Sequence, residues 1–147
     1  MPNITRDKDQ IWFRSTLFDI EPGEDEETNP ECCGRQLAHR LAAALRDDGI
    51  TVAEVFPEDW GWCVVVKKSP FALWVDCGSF YDHETQNTAN PSMRGRGAVW
   101  TCMVGAEVSL LQKLFRRPDT APQISELLER LTRLLTAAPG IELIDQP

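Results

Sequence analysis

The sequence has 147 residues, of which 42% are hydrophobic and 26% charged, and its formal net charge is -8. This is the size and composition of one globular domain with its own core, which excludes a fibrous or intrinsically disordered chain. No apolar run approaches the roughly 20 residues that cross a membrane, and no secretory signal peptide is visible, so we expect a cytoplasmic protein with a single domain over residues 1–147.

The first half of the chain predicts a strand, an acidic loop and a helix. Residues 10–20 favour a strand because branched and aromatic side chains dominate them. Asn29 can cap a helix and Pro30 suits its first position, and leucines at 37, 41 and 45 then form one apolar stripe. With Gly49 as the stop signal, the helix is expected over residues 30–48.

The acidic loop, residues 19–31 (DIEPGEDEETNPE), holds seven acids and no base; without them, 16 acids face 15 Lys and Arg. Such a segment repels phosphate backbones and steers basic proteins towards it, so we expect a protein partner and neither nucleic acid nor membrane. The partner-binding residues would be Glu24, Asp25, Glu26 and Glu27. For the segment taken by itself, the favoured interpretation is a solvated loop whose charge only aids solubility, because most charge runs have no further role.

A meander of four strands is predicted next, over residues 50–56, 62–68, 71–78 and 98–107. Pro57 is expected to stop the first strand and Gly78 the third, and the short breaks indicate antiparallel pairing. The polar residues 79–97 read as a long loop, a type of segment that is often functional.

Two helices and a last strand complete the prediction. Ser109 can cap a short helix that ends at Phe115, and Thr120 with Gln123 resembles a capping box at the start of the last helix. Leucines at helical spacing continue to Ala138, and residues 141–144 suggest a strand. The order favours an α+β fold, two-layer, with a mainly antiparallel sheet and the helices packed on one face, the last beside the first.

The stretch Glu58-Asp59-Trp60-Gly61-Trp62 opens the second meander strand. Alternation places both tryptophans on one face, in line with two valines, as in a core-facing strand. Gly61 then marks a bulge or a close approach of another backbone. This structural interpretation is favoured over a site.

The alternative is a ligand pocket formed by Glu58, Asp59, Trp60, Trp62 and Asp76. Aromatic rings beside carboxylates bind sugars or cations, because the rings stack and the acids accept hydrogen bonds. Asp76 is unusual because it lies in an apolar run. It either lines a pocket or faces water at a sheet edge, and the second interpretation is favoured.

Catalytic and metal-binding patterns are weak, so no catalytic residue, metal or cofactor is predicted. The five cysteines show no zinc-ligand spacing and indicate free thiols in a reducing compartment. His83, between two acids, has only His39 as a possible second histidine ligand, and a metal needs three or four. The basic residues 94–97 (RGRG) fit a flexible loop better than a nucleic-acid site.

Four stretches resemble a group of short, uncharacterised bacterial proteins: GRQLAHRL (34–41), PEDWGWCVVV (57–66), FALWVDCG (71–78) and KLFRRPDT (113–120). The patterns EDWGW and LWVxCG are the most specific. The resemblance implies a bacterial protein of one domain and brings no activity or site residue with it.

Two functions compete at this point. A small acidic protein-interaction domain, in its sharpest form an inhibitor or immunity-type protein, would cover a basic surface with residues 19–31. A small-ligand-binding protein or enzyme would instead use the pocket around Asp59, Trp60, Trp62 and Asp76. The first is favoured, and enzymatic activity is not expected.

Overall fold

A computed structural model of the chain describes residues 10–15, 34–59, 61–68, 71–81, 98–108 and 119–145. Within these residues the elements are β1 (Gln10–Ser15), α1 (Arg35–Asp47), β2 (Glu54–Glu58), β3 (Gly61–Lys67), β4 (Ala72–Tyr81), β5 (Ala98–Glu107), α2 (Ala121–Ala137) and β6 (Ile141–Ile144).

The strands form one antiparallel sheet in the order β2-β3-β4-β5-β1-β6. The four consecutive strands β2 to β5 are the predicted meander. β1 lies beside β5, and β6 pairs with the outer side of β1. Both described helices pack on one face of this sheet, so the fold is the predicted two-layer α+β arrangement.

The core lies between the helices and the face of the sheet that they cover, which we call the helix face. The predicted stripe of α1, Leu37, Leu41 and Leu45, is at most 3% exposed. It packs with the helix-face side chains of the central strands and with one apolar stripe of α2, a set that includes Phe13, Trp62, Val64, Val75, Trp100, Leu127, Leu131 and Leu135. Each strand alternates between this face and the opposite one, which we call the outer face.

Ion pairs of Asp48 with Arg130 and Arg133, which we call the ionic clasp, join the two helices. The last helix therefore lies beside the first, as predicted. Asp48, just after α1, accepts hydrogen bonds from Arg130 and from Nη2 of Arg133, the latter at 2.8 Å. These two hydrogen bonds hold the pKa of the Asp48 carboxyl below its ordinary value. The clasp fixes the C-terminal end of α1 against the middle of α2.

Three predicted strand boundaries were wrong. Pro57 lies within β2 and does not end it, which is tolerated because β2 is an edge strand and proline removes only an outward donor. β2 itself begins at Glu54, so residues 50–53 precede the strand. β4 continues through Gly78 to Tyr81, because β5 pairs with it along its whole length, so the polar loop begins after Tyr81.

The start of α2 also differs from the prediction. The Thr120 side chain makes no capping hydrogen bond; instead, Oδ1 of Asp119 accepts one from the N–H of Ala121 at 3.1 Å. The predicted helix at 109–115 and the end of the first strand (16–20) lie outside the described residues. The predicted start of the first helix at residue 30 was wrong: α1 begins at Arg35 with Gly34 as its N-cap, so Asn29 does not cap this helix. In the part of the chain that is described, neither helix has the length and apolar character needed to span a membrane.

Candidate functional site

The turn between β2 and β3 holds two of the predicted site residues. Glu58 ends β2 and pairs with Gly61 across the turn, and Asp59 is exposed within it. Trp60 lies outside the described residues. The two carboxylates therefore lie at the end of the sheet, as a strand-connecting turn places them.

Trp62 belongs to the core and faces α1. It is 6% exposed. Its ring centroid lies 5.6 Å from that of His39, and the guanidinium carbon of Arg35 lies 5.6 Å from the same ring. Trp62 thus joins the start of β3 to the first turns of α1, as the structural interpretation of this stretch predicts.

Gly61 lies where two backbones approach each other closely. A Cβ at Gly61 would lie 2.3 Å from the carbonyl oxygen of Cys77, and a Cβ at Gly34, just before α1, would lie 2.7 Å from the same oxygen. Any side chain at either position would force the backbones apart. The close approach predicted for Gly61 is confirmed, and the backbones around Gly34, Gly61 and Cys77-Gly78 meet at one peptide group.

Asp76 does not face water at a sheet edge, and that expectation was wrong. It lies on β4, a central strand, and is 7% exposed. Its neighbours Leu73 and Val75 point into the core, so Asp76 and Trp74 share the outer face. Nε1 of Trp74 donates a hydrogen bond to Oδ2 of Asp76 at 3.1 Å.

The Trp74 ring occupies the space that a side chain at Gly105 on the next strand would fill. Gly105 is its cross-strand partner, and a Cβ there would lie 2.7 Å from ring carbon Cε2. The indole therefore lies against the backbone of β5, with its N–H directed to Asp76. Cys63 on β3 is the cross-strand partner of Asp76 on the other side. We call Cys63, Trp74 and Asp76 the outer-face cluster.

The chemistry of the cluster is that of a protonated thiol beside a buried acid. Burial, followed by the negative charges of Asp76 and Glu58, raises the pKa of the Cys63 thiol to about 12. A thiol acts as a nucleophile or a metal ligand only as the thiolate. Cys63 is therefore fully protonated near neutral pH and is not an activated nucleophile.

The structure divides the predicted ligand pocket between the two faces of the sheet. Trp62 points towards α1, whereas Asp76, one residue before the cross-strand partner of Trp62, points to the outer face. These two side chains cannot line one pocket. Glu58 and Asp76 both act on Cys63 electrostatically, so they are the predicted site residues that the fold brings towards each other.

The sheet gathers several chain segments at one end, which we call the turn end. Ser15 pairs with Ile141, Tyr81 with Ala98, and Glu58 with Gly61. Gly34 lies at the same end, against Cys77 and Gly78. The acidic segment connects Ser15 to Gly34 and the polar segment connects Tyr81 to Ala98, so both are attached at the turn end. Residues 24–27 themselves lie outside the described residues.

A shallow groove between α1 and α2 has an empty volume of about 300 Å³. Its lining includes Leu37, Leu41, Leu135 and the side chain of Arg40. The three leucines are at most 4% exposed, so a ligand in the groove would bury little additional apolar surface.

Among the residues that the structure describes, no three His, Cys, Asp or Glu side chains are grouped to hold a metal ion. His39 packs on Trp62, and His83 lies outside the described part. Comparison with models of protein families, with curated proteins and with solved structures finds no match.

Proposed function

We propose that this chain is a protein-interaction domain that binds a basic partner, with residues 19–31 as the principal contact. The observation that carries the proposal is one segment with seven acids and no base, which lies between two elements packed into the core. The sharpest form is an inhibitor or immunity-type protein that covers the basic surface of its target. The free thiols of the core fit a cytoplasmic location.

The attachment of the segment supports the proposal. β1 and α1, which flank it, are both packed into the core, through Ile11 and Phe13 on one side and Leu37 on the other. A charged segment tethered at both ends loses less conformational freedom on binding than a free tail. Glu58 and the exposed Asp59 lie at the same end of the sheet and add to its negative field.

Charge of this kind acts mainly on the association rate. A concentrated negative field raises the rate of productive encounters with a basic surface, and salt weakens it over a Debye length of roughly 8 Å at physiological ionic strength. Binding should therefore be salt-sensitive. The acids of residues 24–27 should account for most of that sensitivity.

The test compares the wild-type chain with the variant Glu24→Gln, Asp25→Asn, Glu26→Gln, Glu27→Gln as bait in a host lysate at low and moderate salt. The matched control removes four exposed acids elsewhere, Glu107, Glu126, Glu129 and Glu142, by the same Gln substitution. A stoichiometric basic partner retained by wild type and control, and lost by the variant, supports the proposal. Equal retention by all three baits contradicts it.

Small-ligand binding is the second candidate, and the half-buried Trp74 that donates to Asp76 is the observation that favours it. An indole beside a carboxylate suits a cationic or hydroxylated ligand. In this version the ligand lies on the outer face, away from Trp62. A ligand that changes the fluorescence of wild type and not of a Trp74→Phe variant would favour it over the interaction domain.

A further inference from the structure

Two cysteines face each other across adjacent strands of the core. Cys77 on β4 and Cys102 on β5 are direct cross-strand partners, and both are 0% exposed. Both belong to the core cluster on the helix face. Neither residue belongs to the outer-face cluster or to the acidic segment.

The cross-strand register of this pair suits a disulfide. Directly opposite residues of antiparallel strands have Cα atoms roughly 4.5–5.5 Å apart, and a disulfide joins Cα atoms at roughly 4.4–6.8 Å. Forming the bond therefore requires no change of register between β4 and β5. Cys63 does not compete, because it lies on the outer face opposite Asp76.

The folded protein shields the pair from oxidants. Hydrogen bonding to Cys102 together with burial raises the pKa of the Cys77 thiol well above its ordinary value, which suppresses the reactive thiolate. The backbones at Gly34 and Gly61 both lie against the carbonyl of Cys77, where no side chain would fit. Because both cysteines are also fully buried, an external reagent reaches these sulfur atoms only when the packing around β4 and β5 opens.

We propose that Cys77 and Cys102 form a cross-strand disulfide when the chain folds in the presence of a small-molecule disulfide, and that the folded, reduced protein resists the same oxidant. The Cys77 thiolate attacks the small disulfide, forming a mixed disulfide and releasing one thiolate. The Cys102 thiolate then attacks the Cys77 sulfur, forming the cross-strand bond and releasing the second thiolate. Two protein thiols are oxidised and one small disulfide is reduced to two thiols, with both protein protons transferred to solvent or product.

The oxidation state of the Cys77–Cys102 pair therefore depends on the redox environment in which the chain folded. The bond would enclose the polar segment 82–97 in a covalent loop anchored at the turn end of β4 and β5. Cross-linking a loop of this length restricts the unfolded chain and should raise the melting temperature by about 10 °C.

The experiment compares two samples of the full-length reduced chain. One is unfolded in guanidinium and refolded by dilution into a mixture of oxidised and reduced glutathione. The other stays folded and is incubated in the same mixture. Both are quenched with acid, alkylated, digested and mapped by mass spectrometry. The expected result is a Cys77–Cys102 linked peptide in the refolded sample, and alkylated Cys77 and Cys102 in the folded one.

Two variants sharpen the result. Cys102→Ala should abolish the linked peptide and the rise in melting temperature, whereas Cys63→Ala should leave both unchanged. The mapping of the wild-type chain decides the matter even if a variant fails to fold. Absence of the link after oxidative refolding, pairing of Cys77 with Cys32 or Cys33, or equally fast linkage in the folded sample would each overturn the proposal.

Discussion

Cys63 and Asp76 are cross-strand partners on the outer face of the sheet, so that a thiol and a carboxylate lie side by side on the face that the described helices leave uncovered. The carboxylate charge disfavours the thiolate, and burial acts in the same direction. Both effects keep the thiol protonated, so Cys63 is not a nucleophile in its present arrangement.

Asp76→Asn should lower the pKa of the Cys63 thiol from about 12, because the substitution removes a neighbouring negative charge. Burial remains, so the pKa should stay above its ordinary value. Titration of a ¹³C-labelled Cys63 Cβ by NMR measures the change. Glu107→Gln serves as the control and should leave the titration unchanged. Glu107 is exposed and ends β5 on the side away from the turn end. An identical titration in Asp76→Asn would show that the carboxylate does not act on the thiol.

Gly61→Ala should destabilise the protein by about 2–3 kcal/mol, because the added methyl group would lie 2.3 Å from the Cys77 carbonyl oxygen and the strands must move apart. Denaturant unfolding measures the difference. Gly49→Ala is the matched control: it has a left-handed backbone with φ of 85° and open space around it, so only the conformational cost of about 1–2 kcal/mol applies. Equal losses in both variants would refute the close-contact explanation.

Trp62→Ala should cost about 3–5 kcal/mol of unfolding free energy, the range for removing a buried aromatic side chain. Asp59→Asn, at the neighbouring exposed turn, should stay within about 0.5 kcal/mol of wild type. Thermal and denaturant unfolding of the two variants tests the structural interpretation of this stretch. A Trp62→Ala protein as stable as wild type would contradict the structural interpretation and make Trp62 a candidate ligand contact again.

Asp48→Asn should make the stability of the protein less sensitive to acid. The folded pKa of Asp48 is lowered by Arg130 and Arg133, so its contribution is present above the ordinary carboxyl value of 3.8 and is lost as pH falls through the lowered value. Wild type should therefore lose stability over this interval more steeply than the variant. Glu129→Gln, an exposed acid of α2 outside the clasp, controls for the removal of one charge. Parallel pH profiles for wild type and Asp48→Asn would contradict the expectation.

Local patterns in the sequence predict most of the elements. The leucine stripe of α1 and the alternating apolar side chains of β3 and β4 each indicate one buried face. The structure places the side chains of these faces in the core. The short connection between β3 and β4 limits their possible registers, so the proximity of Asp76 to the start of β3 could be expected. The close contact at Gly61 could also be expected, because a glycine within an apolar strand indicates a nearby backbone.

The misplacement of Asp76 has a different origin. Whether β4 is a central or an edge strand depends on its pairing with β5, and a connection of 16 residues, 82–97, separates the two. A connection of this length does not predict a register, as a two-residue hairpin turn would. The facing of Cys77 and Cys102 depends on the same pairing, so the sequence alone does not reveal it either.

The position of β1 between β5 and β6 has a consequence for synthesis on the ribosome. β1 leaves the ribosome first, yet both of its partner strands are encoded in the last third of the chain. The finished sheet buries three consecutive side chains of β1, which are at most 6% exposed: Ile11, Trp12 and Phe13. They lack their neighbouring strands while the residues between β1 and β5 are translated. At roughly 5–20 residues per second this interval lasts several seconds, so among the described strands β1 stays longest without its partner strands.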